Sequence, residues 1–383
     1  MKFPKGFLWG AATSAYQVEG GIENNDWAQV FPAGRACDQY NRYEKDFELI
    51  QKMNHNAHRL SLEWSRIEPE RGKFDEDEIQ HYKKVLRALK SRNITTFVTL
   101  WHWTNPVWFT AQGGWGKGKN TPYFLEYVEY VVEELGEFVD YWVTLNEPMN
   151  HASLGYVTGA FPPQKKNPFK AIGVVHSLVA AHRLSYDIIH EKYPEAKVSI
   201  SQILNYFEAA RSWFPLEQFI AAAAHFFWNH YFLLLCKSKL DYIGFSYYFH
   251  NRIIWKPPFV ENKNKKVSDL GWEIYPEGIY HVLKHLKRFN KPLYILENGL
   301  ADAKDAQRTE FITEHLKWIH KAIEEGVDVK GYFHWSLLDN FEWKEGTKPR
   351  FGLVAMDYKT MKRTPRESAN FYAEIAKNNS VTI

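Results

Sequence analysis

Eight short apolar segments, rich in β-branched and aromatic residues, recur along the 383-residue chain and constrain its fold more than any other feature. Segments with helical periodicity lie between them; in residues 75–92, for example, Ile79, Tyr82 and Leu86 recur every three or four positions among charged residues. Such alternation predicts a parallel sheet with helical crossovers, and eight units predict closure into a (β/α)8 barrel. The predicted strands are residues 7–11, 57–64, 95–100, 141–145, 197–204, 242–248, 293–296 and 329–335.

A doubly wound open sheet is the alternative arrangement of alternating strands and helices. That fold commonly carries a glycine-rich phosphate-binding turn after its first strand. Here the first predicted strand runs into the sequence TSAY, and neither a GxGxxG nor a Walker motif occurs in the chain. The sequence also lacks low-complexity linkers and short repeats. We therefore predict an α/β fold in which residues 1–383 form a single catalytic (β/α)8 TIM-barrel domain.

Composition limits the partners of the protein. The chain carries 48 Lys and Arg against 45 Asp and Glu, spread along the sequence, so neither a nucleic-acid-binding stripe nor a polybasic membrane arm is predicted. Cys37 and Cys236 are too few for a disulfide framework, and neither lies in a CxxC motif. This cysteine usage fits a reducing compartment, so we expect a cytoplasmic protein.

Two apolar segments are similar to targeting or membrane sequences. The first, residues 7–12, is only six residues long and follows Pro4 and Gly6, so a cleaved signal is not expected. The second, residues 219–236, is shorter than the roughly 20 residues of a spanning helix and contains His225 and His230. We expect a buried helix there; an apolar patch for a membrane surface or a subunit contact is the alternative.

Polar side chains gather at the ends of the predicted strands, where barrel enzymes place their reacting groups. Glu147 follows the fourth strand and Glu297 follows the seventh, so the two carboxyl groups would face each other across the barrel mouth. Glycoside hydrolysis needs such a pair, with one carboxyl group as the acid and the other as the nucleophile or base. By position alone, a structural role remains equally open for each. Further side chains at strand ends are Gln17, Glu19, Arg59, Glu63, His102, Trp103, Asn146, Tyr247, Tyr248, Asn298 and Trp335.

The residue types at these ends suit a sugar better than other substrates. Amide and imidazole groups offer the donors and acceptors that hydroxyls require, and tryptophan, of which the chain has 15, covers the apolar face of a sugar ring. His281 and His285 stand four residues apart on a predicted helix but lack a nearby third ligand in the sequence. A GxSxG motif is absent, and neither cysteine lies at a strand end. We therefore expect no metal and no cofactor.

Several motifs identify a family. FPKGFLWGAATSAYQVEG begins the chain, HRLSLEWSRIEP, TLWHWTNPVWF and TLNEP follow, and YILENG, GYFHWSLLDNFEWKEG and RFGLV occupy the second half. In this order the sequence resembles glycoside hydrolase family 1, the β-glucosidase and β-galactosidase family, over nearly its whole length. The paired TLNEP and ENG motifs are highly specific together.

The resemblance implies a role for each matching residue. Glu147 of TLNEP would be the acid/base and Glu297 of ILENG the nucleophile of a retaining mechanism, which implies a carboxyl separation of about 5–5.5 Å. Arg59 and Tyr248 would orient Glu297 and keep it ionised, and Asn146 would hold the sugar 2-hydroxyl. The remaining expected substrate-binding residues are Gln17, His102, Trp103, Trp335, Glu342 and Trp343.

The chain departs from the family pattern at several positions. Ser246 stands where Asn is usual before the Tyr-Tyr pair, and Leu296 stands where Thr is common before the nucleophile. The region between residues 205 and 242 is short, which trims the side that would bind the leaving group. Expected contacts on that side are Asn205, Trp255 and Trp272.

The resemblance thus predicts a retaining exo-β-glycosidase that removes a β-glucosyl, β-galactosyl or β-fucosyl group from an oligosaccharide or small glycoside. Glu342 argues against 6-phosphosugars and Glu147 against a thioglucosidase. A transglycosylase with a sugar or lipid alcohol acceptor is one alternative, and a sugar-binding pseudo-enzyme is another. Nucleic-acid binding and membrane association are not expected, and a homo-oligomer stays open.

Overall fold

Eight parallel strands form a closed barrel in the computed structural model, which describes residues 1–382. The strands pair in chain order, and β1 closes the barrel against β8, with Leu8 opposite Gly331 and Ala12 opposite Trp335. The predicted fold class is confirmed; the assignment of residues 1–383 to one domain stays a prediction. The barrel strands are β1 Leu8–Ala12, β2 Ala57–Ser61, β3 Thr95–Trp101, β4 Tyr141–Asn146, β5 Lys197–Ala209, β6 Ile243–Ile253, β7 Leu293–Asn298 and β8 Val329–Trp335, and a hairpin follows with β9 Val354–Asp357 and β10 Lys362–Pro365.

The helices form where the sequence supplies both an apolar stripe and a start signal. Asp75 accepts hydrogen bonds from the backbone N–H groups of Asp77 and Glu78 and so caps α4, which buries Ile79 and Leu86. The helices are α1 Ala15–Val18, α2 Gln39–Lys52, α3 Trp64–Ile67, α4 Glu76–Lys90, α5 Val107–Ala111, α6 Thr121–Leu135, α7 Pro148–Tyr156, α8 Pro168–Lys192, α9 Pro215–His225, α10 Tyr231–Cys236, α11 Glu277–Leu286, α12 Arg308–Glu324 and α13 Glu367–Asn378.

The interior of the barrel is filled near the N-terminal ends of its strands. Phe97 stacks on Tyr141 with ring centroids 4.1 Å apart, and Phe333 packs edge-on against Phe97. This plug closes one end of the barrel, so a cavity can open only at the C-terminal ends of the strands. The buried members of the plug are Ala57, Phe97, Val143, Tyr242, Tyr294, Leu296 and Phe333.

β5 and β6 continue past the barrel mouth, further than the sequence predicts. They remain paired from Tyr206 and His250 to Ala209 and Ile253. At about 3.3 Å per residue, this two-stranded extension reaches about 20 Å beyond Ile203. It carries the loop after β6 and positions the start of α9 above the rim of the barrel.

Residues Pro215–Lys239 form one continuous helical segment in which a π-helical turn, Phe226–His230, joins α9 to α10. The segment is long and apolar enough to cross a membrane, yet only 33% of its most apolar window is buried. The prediction of a buried helix is therefore wrong for most of its surface. Because the segment is apolar on every side, its sequence gives no periodicity from which the covered face could be read.

Four strand pairings of the barrel shift register: β4–β5, β5–β6, β6–β7 and β7–β8. In β7, Tyr294 and Leu296 both belong to the interior plug, so regular alternation would turn Glu297 outward with Ile295. Instead, Phe245 pairs with Ile295 while the next residue, Ser246, pairs with Glu297. The β7–β8 pairing shifts between Ile295 and Asn298, and the β4–β5 pairing shifts between Val143 and Asn146. These irregularities re-aim the strand ends into the barrel.

Candidate active site

A cavity of about 330 Å³ opens at the C-terminal end of the barrel. Glu147 and Glu297 both line it, so the structure brings together the two carboxyl groups predicted from their positions at the ends of β4 and β7. This volume lies within the range of small-molecule binding sites. The predicted residues that line the cavity are His102, Trp103, Asn146, Glu147, Tyr248, Trp272, Glu297, Trp335, Glu342 and Trp343.

Glu297 lies at the end of β7 and is held by two neighbours. Arg59 of β2 donates to one carboxylate oxygen in a buried ion pair, and the Tyr248 hydroxyl donates to the other oxygen at 3.0 Å. Burial raises the pKa of Glu297, while the cation of Arg59 and the hydrogen bond from Tyr248 act against that rise. Both neighbours therefore favour the ionised carboxylate and fix its orientation toward the cavity.

Arg59 connects Glu297 to the end of β4. Its guanidinium also donates to the Asn146 side-chain oxygen at 2.7 Å and to the Thr99 hydroxyl at 3.1 Å. The Asn146 amide nitrogen consequently faces His102 Nε2 at 3.0 Å, which must accept. His102 therefore carries its proton on Nδ1, a buried atom without a partner among residues 1–382. The His102 ring lines the cavity.

Glu147 occupies an unusual backbone position directly before α7. Its φ of 43° lies in the left-handed region, which costs a residue with a Cβ about 1–2 kcal/mol, and Pro148 begins the helix behind it. The Asn150 amide donates to the carboxyl group at 2.8 Å, and the nearby Ser246 side chain lowers the pKa of the same group. Strain of this kind at a cavity wall is typical of functional sites.

The two carboxyl groups differ in electrostatic environment. Burial and the negative charge of Glu297 raise the pKa of Glu147 to about 8, and only its hydrogen bonds and the more distant Arg59 oppose that rise. Glu297 has the direct ion pair. The environment of Glu147 therefore favours its protonated form, whereas the ion pair with Arg59 favours the ionised form of Glu297.

Glu342 also lines the cavity and is half-buried. Burial and the charge of Glu297 raise its pKa to about 8, against hydrogen bonds from Trp335 and Gln17. Gln17 itself is fully buried; its amide donates to the Phe341 carbonyl at 3.0 Å and, at 3.5 Å, to Glu342. Gln17 and Arg59 thus lie behind the cavity wall, where they hold residues that face the cavity.

The tryptophans of the site form a connected aromatic wall. Trp343 lies with its ring 4.8 Å from Trp103 and 5.9 Å from His102, and Trp335 lies 6.2 Å from His102. The indole N–H of Trp103 is already bound to the Asn146 carbonyl at 3.0 Å, so Trp103 offers the cavity an apolar surface. Trp103 and Trp343 share the left-handed backbone of Glu147, with φ of 73° and 50°.

Sequence reasoning missed the outer wall of the cavity. Most of this wall is apolar, and it comes from α7, from Ile203 of β5, from loops and from the extended part of β6, none of which carries a motif for it. Trp272 lines it as expected, but Trp255 does not; Asn205 binds the Asn229 side chain through its backbone instead of facing the cavity. The missed lining residues are Asn150, Leu154, Ala160, Phe161, Ile203, Phe249, Leu270, Lys344, Glu345 and Phe351.

A histidine cluster lies away from this cavity. His285 does have the partners that sequence reasoning failed to find, because ring nitrogens of His225, His230 and His285 lie within 4.8 Å of one another. The Asn229 amide donates to His225 Nδ1 at 2.9 Å, so His225 carries its proton on Nε2 and donates it to His230 at 2.8 Å. These hydrogen bonds use the lone pairs that a metal ion would need.

Comparisons with known proteins place the chain among glycosidases. The model described as glycosyl hydrolase family 1 matches residues 1–234 and 218–381. The 1,4-beta-D-glucan glucohydrolase of Thermotoga neapolitana is 35% identical over 451 aligned positions, covering 100% of this chain and 99% of the relative. A beta-glycosidase from Pyrococcus horikoshii superposes with a TM-score of 0.94 at 39% identity, covering 100% of this chain and 96% of the other. The beta-glucosidase from Thermotoga maritima in complex with glucoimidazole gives 0.94 at 33% identity, covering 100% of both.

The aligned length also shows that this chain is shorter than its relative. It exceeds the 383 residues of this chain, so the chain is shortened by internal deletions relative to the Thermotoga neapolitana protein. The two segments matched by the family model overlap in residues 218–234, which lie in the exposed helix. The family match over almost all residues and the identity above 30% across whole chains lead to one conclusion: the chain belongs to glycosyl hydrolase family 1 and is a glycoside hydrolase.

Proposed function

We propose that this glycoside hydrolase is a retaining exo-β-glycosidase that acts by double displacement. The observation that carries the proposal is the contrast between two carboxyl groups of one cavity: Glu297 is paired with Arg59, whereas Glu147 has a pKa raised to about 8. A nucleophile must be ionised and a general acid must be protonated at the same pH. The environments of these two residues supply that difference.

In the first step, the Glu297 carboxylate attacks the anomeric carbon while Glu147 donates its proton to the departing oxygen. A glycosyl ester forms on Glu297 and the alcohol leaves. Asn146 and His102 line the cavity, where they would hold sugar hydroxyls, and contacts to the 2-hydroxyl strengthen as positive charge develops on the ring.

In the second step, the charge relationship reverses. Esterification removes the negative charge of Glu297, which is one of the two causes that raise the pKa of Glu147. Glu147 is then a better base, takes a proton from water, and directs the hydroxide to the same face of the sugar. The ester breaks, and the sugar is released with its original β configuration.

The substrate follows from the two ends of the cavity. The inner end, with Gln17 and Glu342 behind and beside it, suits the hydroxyls of one terminal β-glucosyl, β-galactosyl or β-fucosyl unit. The outer wall with Trp272 is apolar and suits a leaving group of varied structure. We also propose a cytoplasmic location, since Cys37 and Cys236 are free and buried.

Proton NMR of the first sugar released from an aryl β-glycoside tests the mechanism. We expect the β-anomer to appear first and the α-anomer only later, by mutarotation; initial release of the α-anomer would overturn double displacement. A panel of aryl β-glycosides separates glucose, galactose and fucose preference. Adding an alcohol acceptor to the same reaction measures how far transglycosylation, the alternative outcome of the second step, competes with hydrolysis.

A further inference from the structure

The outward face of the helical segment Pro215–Lys239 is apolar along its whole length. Leu216, Phe219, Phe226, Phe227 and Leu234 are all exposed at positions that follow one side of the helix; Phe219 is 72% exposed and Phe227 is 59% exposed. The segment from residue 215 to residue 236 contains a single Asp, Glu, Lys or Arg. That residue, Glu217, is buried and paired with Arg211. A surface helix in contact with water normally shows the opposite pattern.

The apolar face continues onto the neighbouring helix α8. Phe169 and Ile172 are exposed, and His176 follows one turn later on the same side of α8. His176 Nε2 lies 3.1 Å from the Tyr231 hydroxyl, and the Tyr231 ring lies 6.2 Å from Phe227. The exposed side chains of both helices therefore form one surface, here called the apolar plateau. Its members are Phe169, Ile172, Leu216, Phe219, Phe226, Phe227 and Leu234.

The opposite side of the same segment is anchored in the protein. Phe232, Leu233 and Cys236 are fully buried, and Asn229 binds both backbone groups of Asn205 on β5. A helix that crosses a bilayer would have to abandon these contacts. The geometry therefore excludes insertion across a membrane and leaves a helix that lies flat, with one face free.

Unpaired lysines border the apolar plateau. Lys165, Lys166 and Lys170 are exposed on either side of Phe169, and Lys237 is exposed at the other end; none of the four forms an ion pair among residues 1–382. Apolar side chains flanked by free cations match the hydrocarbon boundary and the anionic headgroups of a lipid surface. A two-fold contact between copies would instead bring like charges from both copies to one interface.

We propose that the apolar plateau docks this enzyme on the surface of an anionic lipid bilayer. The aromatic side chains enter the boundary between headgroups and acyl chains, while the lysines contact the headgroups. The two segments matched by the family model overlap in this same helix, at residues 218–234. The proposal replaces the sequence-based expectation that membranes are not a partner, and it does not depend on the catalytic mechanism.

Flotation of the full chain with unilamellar vesicles tests the proposal. We expect the protein to float with vesicles of equal phosphatidylcholine and phosphatidylglycerol, and about tenfold less with phosphatidylcholine alone or in 0.5 M salt, because salt screens the lysines. Phe219→Glu combined with Phe227→Glu should abolish flotation. Lys165→Glu, Lys166→Glu and Lys170→Glu together should reduce it by about tenfold or more. Val30→Glu, at another exposed apolar residue, is the matched control and should float as the parent does.

Thermal unfolding of each variant, which should match that of the parent, confirms that the fold is intact. Failure of the parent to float with either vesicle type would overturn the proposal. The same holds if the paired phenylalanine variant floats normally. A dimer seen by light scattering that this variant dissociates would assign the plateau to a second copy of the chain instead.

Discussion

The inner end of the cavity and its outer side are built in different ways. At the inner end, Arg59 joins Glu297 and Asn146, and residues from several strands and from α7 fix each carboxyl group by hydrogen bonds. The outer side, which includes Trp272, is lined mostly by apolar side chains from α7, from loops and from the extended part of β6. Directional bonds define the reacting geometry, whereas non-directional packing tolerates deletions.

If the inner end is one interdependent unit, loss of its nucleophile should have the largest effect. We expect Glu297→Ala to lower kcat by about 10⁵–10⁶-fold, a loss comparable to removal of a covalent nucleophile elsewhere. Added azide should restore release of nitrophenol and yield an α-glycosyl azide, because it attacks the vacated face. Glu345→Ala, an exposed glutamate at the rim, is the control. More than 1% residual activity without azide would contradict the assignment.

Replacement of the acid should have a smaller effect that depends on the substrate. Glu147→Ala is expected to lower kcat/KM by about 10²–10⁴-fold for an alkyl glycoside and far less for a dinitrophenyl glycoside, whose departure needs no proton. Equal losses for both substrates would remove Glu147 from the acid role. In the parent enzyme, kcat/KM should fall as the pH rises through about 8, because an ionised Glu147 has no proton to donate.

Trp272 tests whether the outer wall acts independently of the chemistry. Trp272→Ala should raise KM about 3–10-fold for glycosides with a bulky apolar leaving group, since a lost apolar contact has a modest effect. The variant should leave kcat and KM for methyl glycosides, and the pH profile, unchanged. Trp255 lies outside the cavity, so Trp255→Ala is the control and should not change KM for either class of glycoside. A change in kcat for methyl glycosides would show that the two regions are coupled.

Replacement of Ser246 tests how a positioning residue at the inner end affects the pKa of Glu147. Ser246 lowers the pKa of Glu147, and we expect it to do so by donating its hydroxyl to the ionised carboxylate. Ser246→Ala should therefore move the basic limb of the kcat/KM profile upward by about 0.5–1 pH unit. Activity near pH 6 should fall less than tenfold. Ser199→Ala, a buried serine bound to the Tyr242 carbonyl, should leave the limb in place. A downward shift would contradict the proposed hydrogen bond.

Stability should show the smallest effect. A carboxyl group whose pKa is raised on folding stabilises the protein below its unfolded value near 4.5 and progressively destabilises it as the pH rises toward 8. Glu147→Gln, which removes this titration, should therefore raise Tm by about 1–4 °C at pH 9 and by nothing measurable at pH 4. Calorimetry of both proteins at the two pH values checks the sign; a lower Tm for the variant at pH 9 would refute it.

The barrel and the carboxyl pair were predictable because their signals are local. Each strand is a short apolar run, and Glu147 and Glu297 directly follow such runs. The placement of Glu342 and Trp343 rested on the family resemblance, since a long loop separates them from β8. The structure puts all four residues around one cavity.

Other features depend on contacts between distant segments. The exposure of Phe219 and Phe227 is determined by what covers the helix, and the sequence of a uniformly apolar helix does not contain that information. Extension of β5 to Ala209 depends on pairing with β6, 44 residues further along, as in the match of Ala209 with Ile253. The outer wall of the cavity also depends on such contacts, because its residues come from segments that are distant in the sequence.

The register shift beside Glu297 has a consequence for how this chain can change. Leu296 and Glu297 are consecutive, yet one fills the barrel plug and the other faces the cavity. A single-residue insertion or deletion that removed this shift would restore regular alternation, turn Glu297 outward with Ile295 and leave the cavity without its carboxylate. Evolution can thus vary the rim by whole loops, whereas this strand admits point substitutions and no change of length.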